Sequence, residues 1–144
     1  MEKGVDYTGI CVVFYCHDGK GNFVMSKRNK SCRDEHDTWD PGGGGIEFGI
    51  PIEKNLEKEI KEEYCTDILK SEFLGIRDVH RKNAGRKTHW IALDFKCLVD
   101  PTKVRNGEPH KFDGVRWFTL DTLPSKLHSQ MPKFIKLYDK KLRS

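Results

Sequence analysis

No apolar run in this chain approaches the ~20 residues that a bilayer-spanning helix needs, so no membrane partner is expected. The opening residues, Met1-Glu2-Lys3-Gly4-Val5-Asp6, lack the apolar core of a secretory signal. The five cysteines (Cys11, Cys16, Cys32, Cys65 and Cys97) are scattered and form no Cys-x-x-Cys pair. That argues against a structural zinc site and for reduced thiols in a cytoplasmic protein. The six histidines show no His-x3-His spacing. Internal repeats and low-complexity segments are missing. So are a helix-turn-helix, a zinc finger and the aromatic signature of an RNA-recognition motif, and no sequence-specific nucleic-acid partner is expected. Neither sign of charge dominates: 26 Lys and Arg against 22 Asp and Glu leave a net +4.

What is present fits one domain over residues 1–144, long enough for a real core. Thr8 to Cys16 is a continuous β-prone apolar run, a buried strand. Asp18-Gly19 signals a turn, and Phe23 to Arg28 reads as the returning strand. Ile68 to Val79 is extended, with Gly75 as a bulge, and His80 to Lys87 reads as a basic turn. In the strand His89 to Val99, alternation assigns Ile91, Leu93, Phe95 and Cys97 to the core and Trp90, Ala92, Asp94 and Lys96 to the other face. Asp100 to Gly114 is a long loop before a strand at Val115 to Phe118. Leu120 to Pro124 reads as a short helical turn, and Pro132 to Leu142 as a closing helix.

The most informative stretch runs from Gly42 to Glu63. Four glycines, Gly42 to Gly45, form a loop whose backbone can approach a ligand closely. A charged helix follows, with Pro51 at its first position and Glu53 in its first turn. At ~100° per residue, Ile52, Leu56 and Ile60 define its packing stripe, and Lys54, Glu57, Lys58 and Lys61 its solvated side. Glu59 and Glu63 fall inside or beside the apolar arc, with Glu62 on its flank. An unpaired buried carboxylate is costly, and like charges three and four apart on a helix repel. A divalent cation held by oxygens offsets both costs, and Mg²⁺ or Mn²⁺ suits such ligands.

Gly44, Glu59, Ile60, Glu62 and Glu63 resemble the signature box of the Nudix (MutT-like) hydrolases, Gly-x5-Glu-x7-Arg-Glu-U-x-Glu-Glu-x-Gly-U, with U a bulky apolar residue. The departures are Ile50 for the first Glu, Lys58 for Arg, Cys65 for Gly and Thr66 for the final apolar residue. The resemblance implies an α/β fold, an α/β/α sandwich with a mixed sheet. It also implies hydrolysis of the phosphoanhydride of a nucleoside diphosphate linked to another group. Glu59, Glu62, Glu63 and the Gly43 carbonyl would ligate the cation, and one of the acids would take a proton. Lys58 stands where the family's Arg orients the glutamates, without its planar fork. Arg28 would meet substrate phosphate near Gly44. The later loop resembles the family's Glu-Pro-x-Lys…Trp-Phe segment and offers Asp113, then Glu108, as a further acid. For Trp39 and Trp90 two roles stand, stacking on a base or filling core, and the core reading is preferred for both.

The expected substrate is a small-molecule nucleotide, a nucleoside or deoxynucleoside triphosphate with a normal or oxidised base, cut to monophosphate and pyrophosphate. ADP-ribose, a sugar nucleotide, a dinucleoside polyphosphate and capped RNA are alternatives. So is a catalytically weak module that binds nucleotides. A homodimer is left open.

Overall fold

Burial along Gly9–His17 decides the architecture. In this strand, β1, Val12, Phe14 and Cys16 face one way and Tyr15 the other, and all four are buried. A strand buried on both faces needs a covering layer on each side. The computed structural model, which describes residues 1–144, supplies these layers as two helices. The remaining strands are β2 (Phe23–Arg28), β3 (Trp39–Asp40), β4 (Gly43–Gly45), β5 (Ile68–Asn83), β6 (Arg86–Val99) and β7 (Phe112–Phe118). The helices are α1 (Ile52–Tyr64) and α2 (Met131–Leu142).

The seven strands form one sheet in the order β3-β2-β1-β6-β5, with β4 added to β1 and β7 to β2. β1 and β6 run parallel and the other named pairs antiparallel, so the sheet is mixed. On one face α1 sets Leu56, Ile60 and Tyr64 against Val12, Phe14, Cys16 and Phe95. On the other, α2 sets Met131, Phe134, Tyr138 and Leu142 against Tyr15, Phe23, Met25 and Leu74. Each fully buried side chain of this size contributes about 1.5–3 kcal/mol. An exposed ion pair contributes about 0–1 kcal/mol. The two apolar layers, not the charged helix surface, therefore hold the sandwich together. This is the α/β/α arrangement expected from the sequence.

Several local expectations are corrected. Both faces of β6 are covered: Ala92, Asp94 and Lys96 are as buried as Phe95 and Cys97, because α2 packs over the face not assigned to the core. Asp94 is tolerated there because Arg77 donates to it twice, at 2.6 and 3.0 Å, and the Tyr138 hydroxyl donates at 2.7 Å. Lys96 Nζ donates to the Lys141 and Ser144 carbonyls at the end of α2. The basic turn shrinks to Ala84-Gly85, with φ of 53° and 78°. Positive φ at both central residues suits a tight hairpin, and β5 and β6 pair up to Asn83↔Arg86. The bulge falls between Phe73 and Gly75, as read. Leu120 to Pro124 forms turns and bends, not helix, and β7 starts at Phe112. Pro51 caps α1 from outside, with ψ of 147°, and does not open its first turn. Ile52 is exposed, and the buried stripe instead runs through Asn55, Leu56, Ile60, Glu63 and Tyr64.

Candidate functional site

Of the glycine run, expected as a loop, Gly43–Gly45 form a strand and Gly42 precedes it. Cys11, Val12 and Val13 of β1 pair with Gly45, Gly44 and Gly43. Close approach on both sides explains why side chains are excluded. A Cβ on Gly43 would lie 2.5 Å from the Val12 carbonyl oxygen, and one on Gly44 would lie 2.3 Å from the Glu59 carboxyl carbon. Gly42 has φ of +116°, with Phe14 beneath it. Asn55 ties this strand to α1. Fully buried, it accepts from the Glu47 amide at 3.1 Å and donates to the Gly45 carbonyl at 3.3 Å. The Tyr64 hydroxyl adds a second tie, donating to the Pro41 carbonyl at 2.6 Å.

α1 therefore meets the glycine strand along its acidic side. Glu59, Glu62 and Glu63 line one cleft of about 540 Å³ with Gly43, Gly44 and Glu108. Glu63 is only 4% exposed, and its Oε2 has no hydrogen-bond partner. Burial first, then the carboxylates of Asp40, Glu59 and Glu108, push its proton affinity well above the ordinary 4.5, while the Gly43 amide pulls the other way. Burial and the neighbouring Glu62 also raise Glu59. Lys58 lies 2.9 Å from Glu47, 3.1 Å from Glu62 and 3.8 Å from Glu59. Hydrogen bonds to Glu47 and Glu62 hold its ammonium charged more firmly than usual. One lysine thus gathers three carboxylates, and its ion pairs do not include the buried Glu63.

The long loop closes the cleft by docking on the end of α1. The Arg105 amide donates to the Tyr64 carbonyl at 3.1 Å, and the Gly107 amide to the Glu63 carbonyl at 2.9 Å. A Cβ on Gly107 would lie 2.0 Å from the Glu62 carbonyl oxygen, so glycine permits this contact. Asn106 steadies the turn, accepting from the Glu108 amide and donating to the Phe112 carbonyl. Glu108 then faces the cleft. Asp113, ranked ahead of Glu108 from sequence, does not line it; exposed on β7, Asp113 accepts from Asn29 at 3.2 Å. Strand alternation explains the difference, because Phe112 is the residue that turns inward.

Beyond the glycine strand lies a second cavity of about 200 Å³, which shares Arg28, Arg33 and Gly43 to Gly45 with the cleft. Arg28 reaches both spaces, and its Nε, Nη1 and Nη2 each already make one bond within the protein. It bonds Asp40 and Asp34 side chains and the Asp34 carbonyl, each at 3.1 Å. Asp34 also accepts from Arg81 at 2.8 Å, and the Arg81 Nε is buried without a partner. Arg33 has no carboxylate partner and lies 5.6 Å over the Trp90 ring. Trp39 is core, whereas Trp90 lines this cavity.

Sequence reasoning did not single out Asn55, Asp34, Asp40, Arg33 or Gly107. Asn55 carried a signal, a small polar residue next to the apolar Leu56 on a charged helix. For the others the signal is tertiary: their roles come from segments far apart in the chain.

Two solved structures share the fold closely. A MutT NUDIX hydrolase from Burkholderia pseudomallei superposes with a TM-score of 0.80 at 22% identity, covering 92% of this chain and 98% of that one. A MutT protein from Methanosarcina mazei superposes at 0.75 with 18% identity, covering 95% and 96%. At such identities the likeness speaks for the fold. The family model for the NUDIX domain matches residues 8–138, most of the chain, so this protein belongs to the NUDIX family.

Proposed function

We propose that this chain is a divalent-cation-dependent pyrophosphohydrolase that cuts a nucleoside or deoxynucleoside triphosphate, normal or oxidised, to the monophosphate and pyrophosphate. NUDIX proteins act as hydrolases on pyrophosphate-containing substrates and in general use a divalent metal. The observation that carries the reading is the convergence of Glu59, Glu62, Glu63 and Glu108 on one cleft beside a side-chain-free strand.

The donor set fits a hard cation. It is all oxygen, Glu63 presents a buried oxygen without a partner, and the Gly44 backbone lies against the Glu59 carboxyl group. Glu59, Glu62 and Glu63, with the Gly43 carbonyl, would hold Mg²⁺ or Mn²⁺, which favour such ligands. An ion held there would offset the negative charge of adjacent phosphates and acidify water. The remaining work falls to the chain. One of Glu59, Glu62, Glu63 and Glu108, which share the cleft, would accept the proton of the attacking water. Lys58 holds Glu62 and Glu47 in place. Glu108 brings a fourth carboxylate from the loop. Arg28 and Arg33, at the junction of cleft and cavity, draw the phosphate chain across the glycine strand. The cavity with Trp90 receives the nucleoside end.

The test is turnover of a mixture of canonical nucleoside triphosphates, 8-oxo-dGTP and ADP-ribose with Mg²⁺, with Mn²⁺ and with EDTA, products being identified by mass. Metal-dependent monophosphate and pyrophosphate from a triphosphate supports the reading. Turnover of ADP-ribose alone moves the substrate class. Nucleotide binding without turnover favours a binding module, the reading that Lys58 in place of a forked guanidinium supports.

A further inference from the structure

The hairpin of β5 and β6 carries a second group of metal-ligating side chains, outside both cavities. Asp78, His80 and His89 each offer one ligand atom, and these atoms lie within 4.8 Å of one another. Strand register brings them together: His80 sits directly opposite His89, and Asp78 shares their face two residues along. The two imidazoles stack at 4.1 Å between centroids, 20° from parallel. Asp78 Oδ1 lies 2.8 Å from His89 Nε2, and the other ring nitrogen, Nδ1, lies 3.3 Å from the Thr8 hydroxyl. An oxygen partner on the far nitrogen, usually a carboxylate, a backbone carbonyl or water, orients a ligating histidine, and the Thr8 hydroxyl takes that place here.

We propose that Asp78, His80 and His89 form a transition-metal site of the Zn²⁺ class, separate from the carboxylate cleft and independent of the activity assigned to it. Two imidazoles and one carboxylate are the donor set of borderline metals, whereas Mg²⁺ and Ca²⁺ select oxygen cages. Three protein ligands leave a fourth, tetrahedral position for water. Metal–ligand bonds of about 2.0–2.1 Å put tetrahedral neighbours roughly 3.3 Å apart. The exposed Asp78 and His80 side chains reach that spacing by rotamer adjustment, with the His89 ring already held by Thr8. The next pair along the face, Lys82 opposite Lys87, repels any cation. Binding must therefore come from imidazole donation, which favours Zn²⁺ over Mg²⁺. The site also has a place in the fold. Val79, Arg81 and Trp90 alternate with these ligands and line the cavity on the opposite face. An ion here clamps the two strands that form that wall.

The test uses the whole chain, stripped with chelator and then held in excess Mg²⁺ to fill the oxygen sites. Zn²⁺ binding is read by competition with a chromophoric chelator. One Zn²⁺ per chain is expected. His80→Ala and His89→Ala should each weaken it at least tenfold with unchanged circular dichroism, and Glu59→Gln should leave it unchanged. Zn²⁺ binding that survives both histidine substitutions, or that disappears with Glu59→Gln, overturns the proposal, as does the absence of Zn²⁺ binding.

Discussion

Glu63→Gln should make the cation-free protein more stable. The carboxyl group is 4% exposed, one oxygen has no partner, and Asp40, Glu59 and Glu108 surround it. An unsatisfied buried acceptor costs about 1–3 kcal/mol, and a buried unpaired charge costs several. Glutamine keeps the shape, keeps an acceptor for the Gly43 amide and turns N–H donors toward the surrounding carboxylates. The expected gain in EDTA at pH 7.5 is about 1–3 kcal/mol. At roughly 2–4 °C per kcal/mol for a chain of this size, that is a rise in Tm of roughly 2–12 °C. The pH dependence has a fixed sign. Burial raises the folded proton affinity above the ordinary 4.5. Below that value folded and unfolded wild type both keep the proton, and the penalty vanishes. As pH rises the unfolded chain releases it first, so wild type loses stability relative to the variant until the folded group also ionises. The gap between the proteins should be smallest near pH 4.5 and grow toward neutrality. Mg²⁺ should offset most or all of this gap, because saturation at a hundred times Kd adds about 2.7 kcal/mol to the protein that binds it and the variant has lost one ligand. Thermal melts in EDTA and in Mg²⁺ across this pH range make the comparison. A variant that melts below wild type in EDTA at pH 7.5 refutes the reasoning.

Asp94→Asn should cost about 3–5 kcal/mol, because it strands the Arg77 guanidinium in a largely buried site; the urea midpoint reports it, and Asp94→Leu with Arg77→Met should recover most of the loss. Cys65 ends α1 with φ of 61°, where a side chain is disfavoured. Cys65→Gly relieves that strain at some cost in unfolded-chain entropy, for a net gain of roughly 0.5–1 kcal/mol in the same urea assay.

The acid helix and the glycine run were legible because both signals are local: three glutamates on a three-and-four spacing, and four glycines in a row. The layered fold followed from two apolar strands and two helical patterns. The misread features depended on partners remote in sequence. Asp94 was left out of the core set because alternation cannot show that α2 covers the second face. Ile52 looked like core because rotation about a helix axis does not say where the sheet ends. Glu108 ranked below Asp113 because the reach of a loop depends on its anchors, and the anchor at Gly107 is a contact with a carbonyl 45 positions earlier (107 against 62).

That anchor has a mechanical consequence. Three of the cleft's carboxylates ride on α1, and the fourth hangs from the last turn of the same helix through Arg105 and Gly107. A displacement of α1 would therefore carry Glu108 along with Glu59, Glu62 and Glu63 through these two bonds.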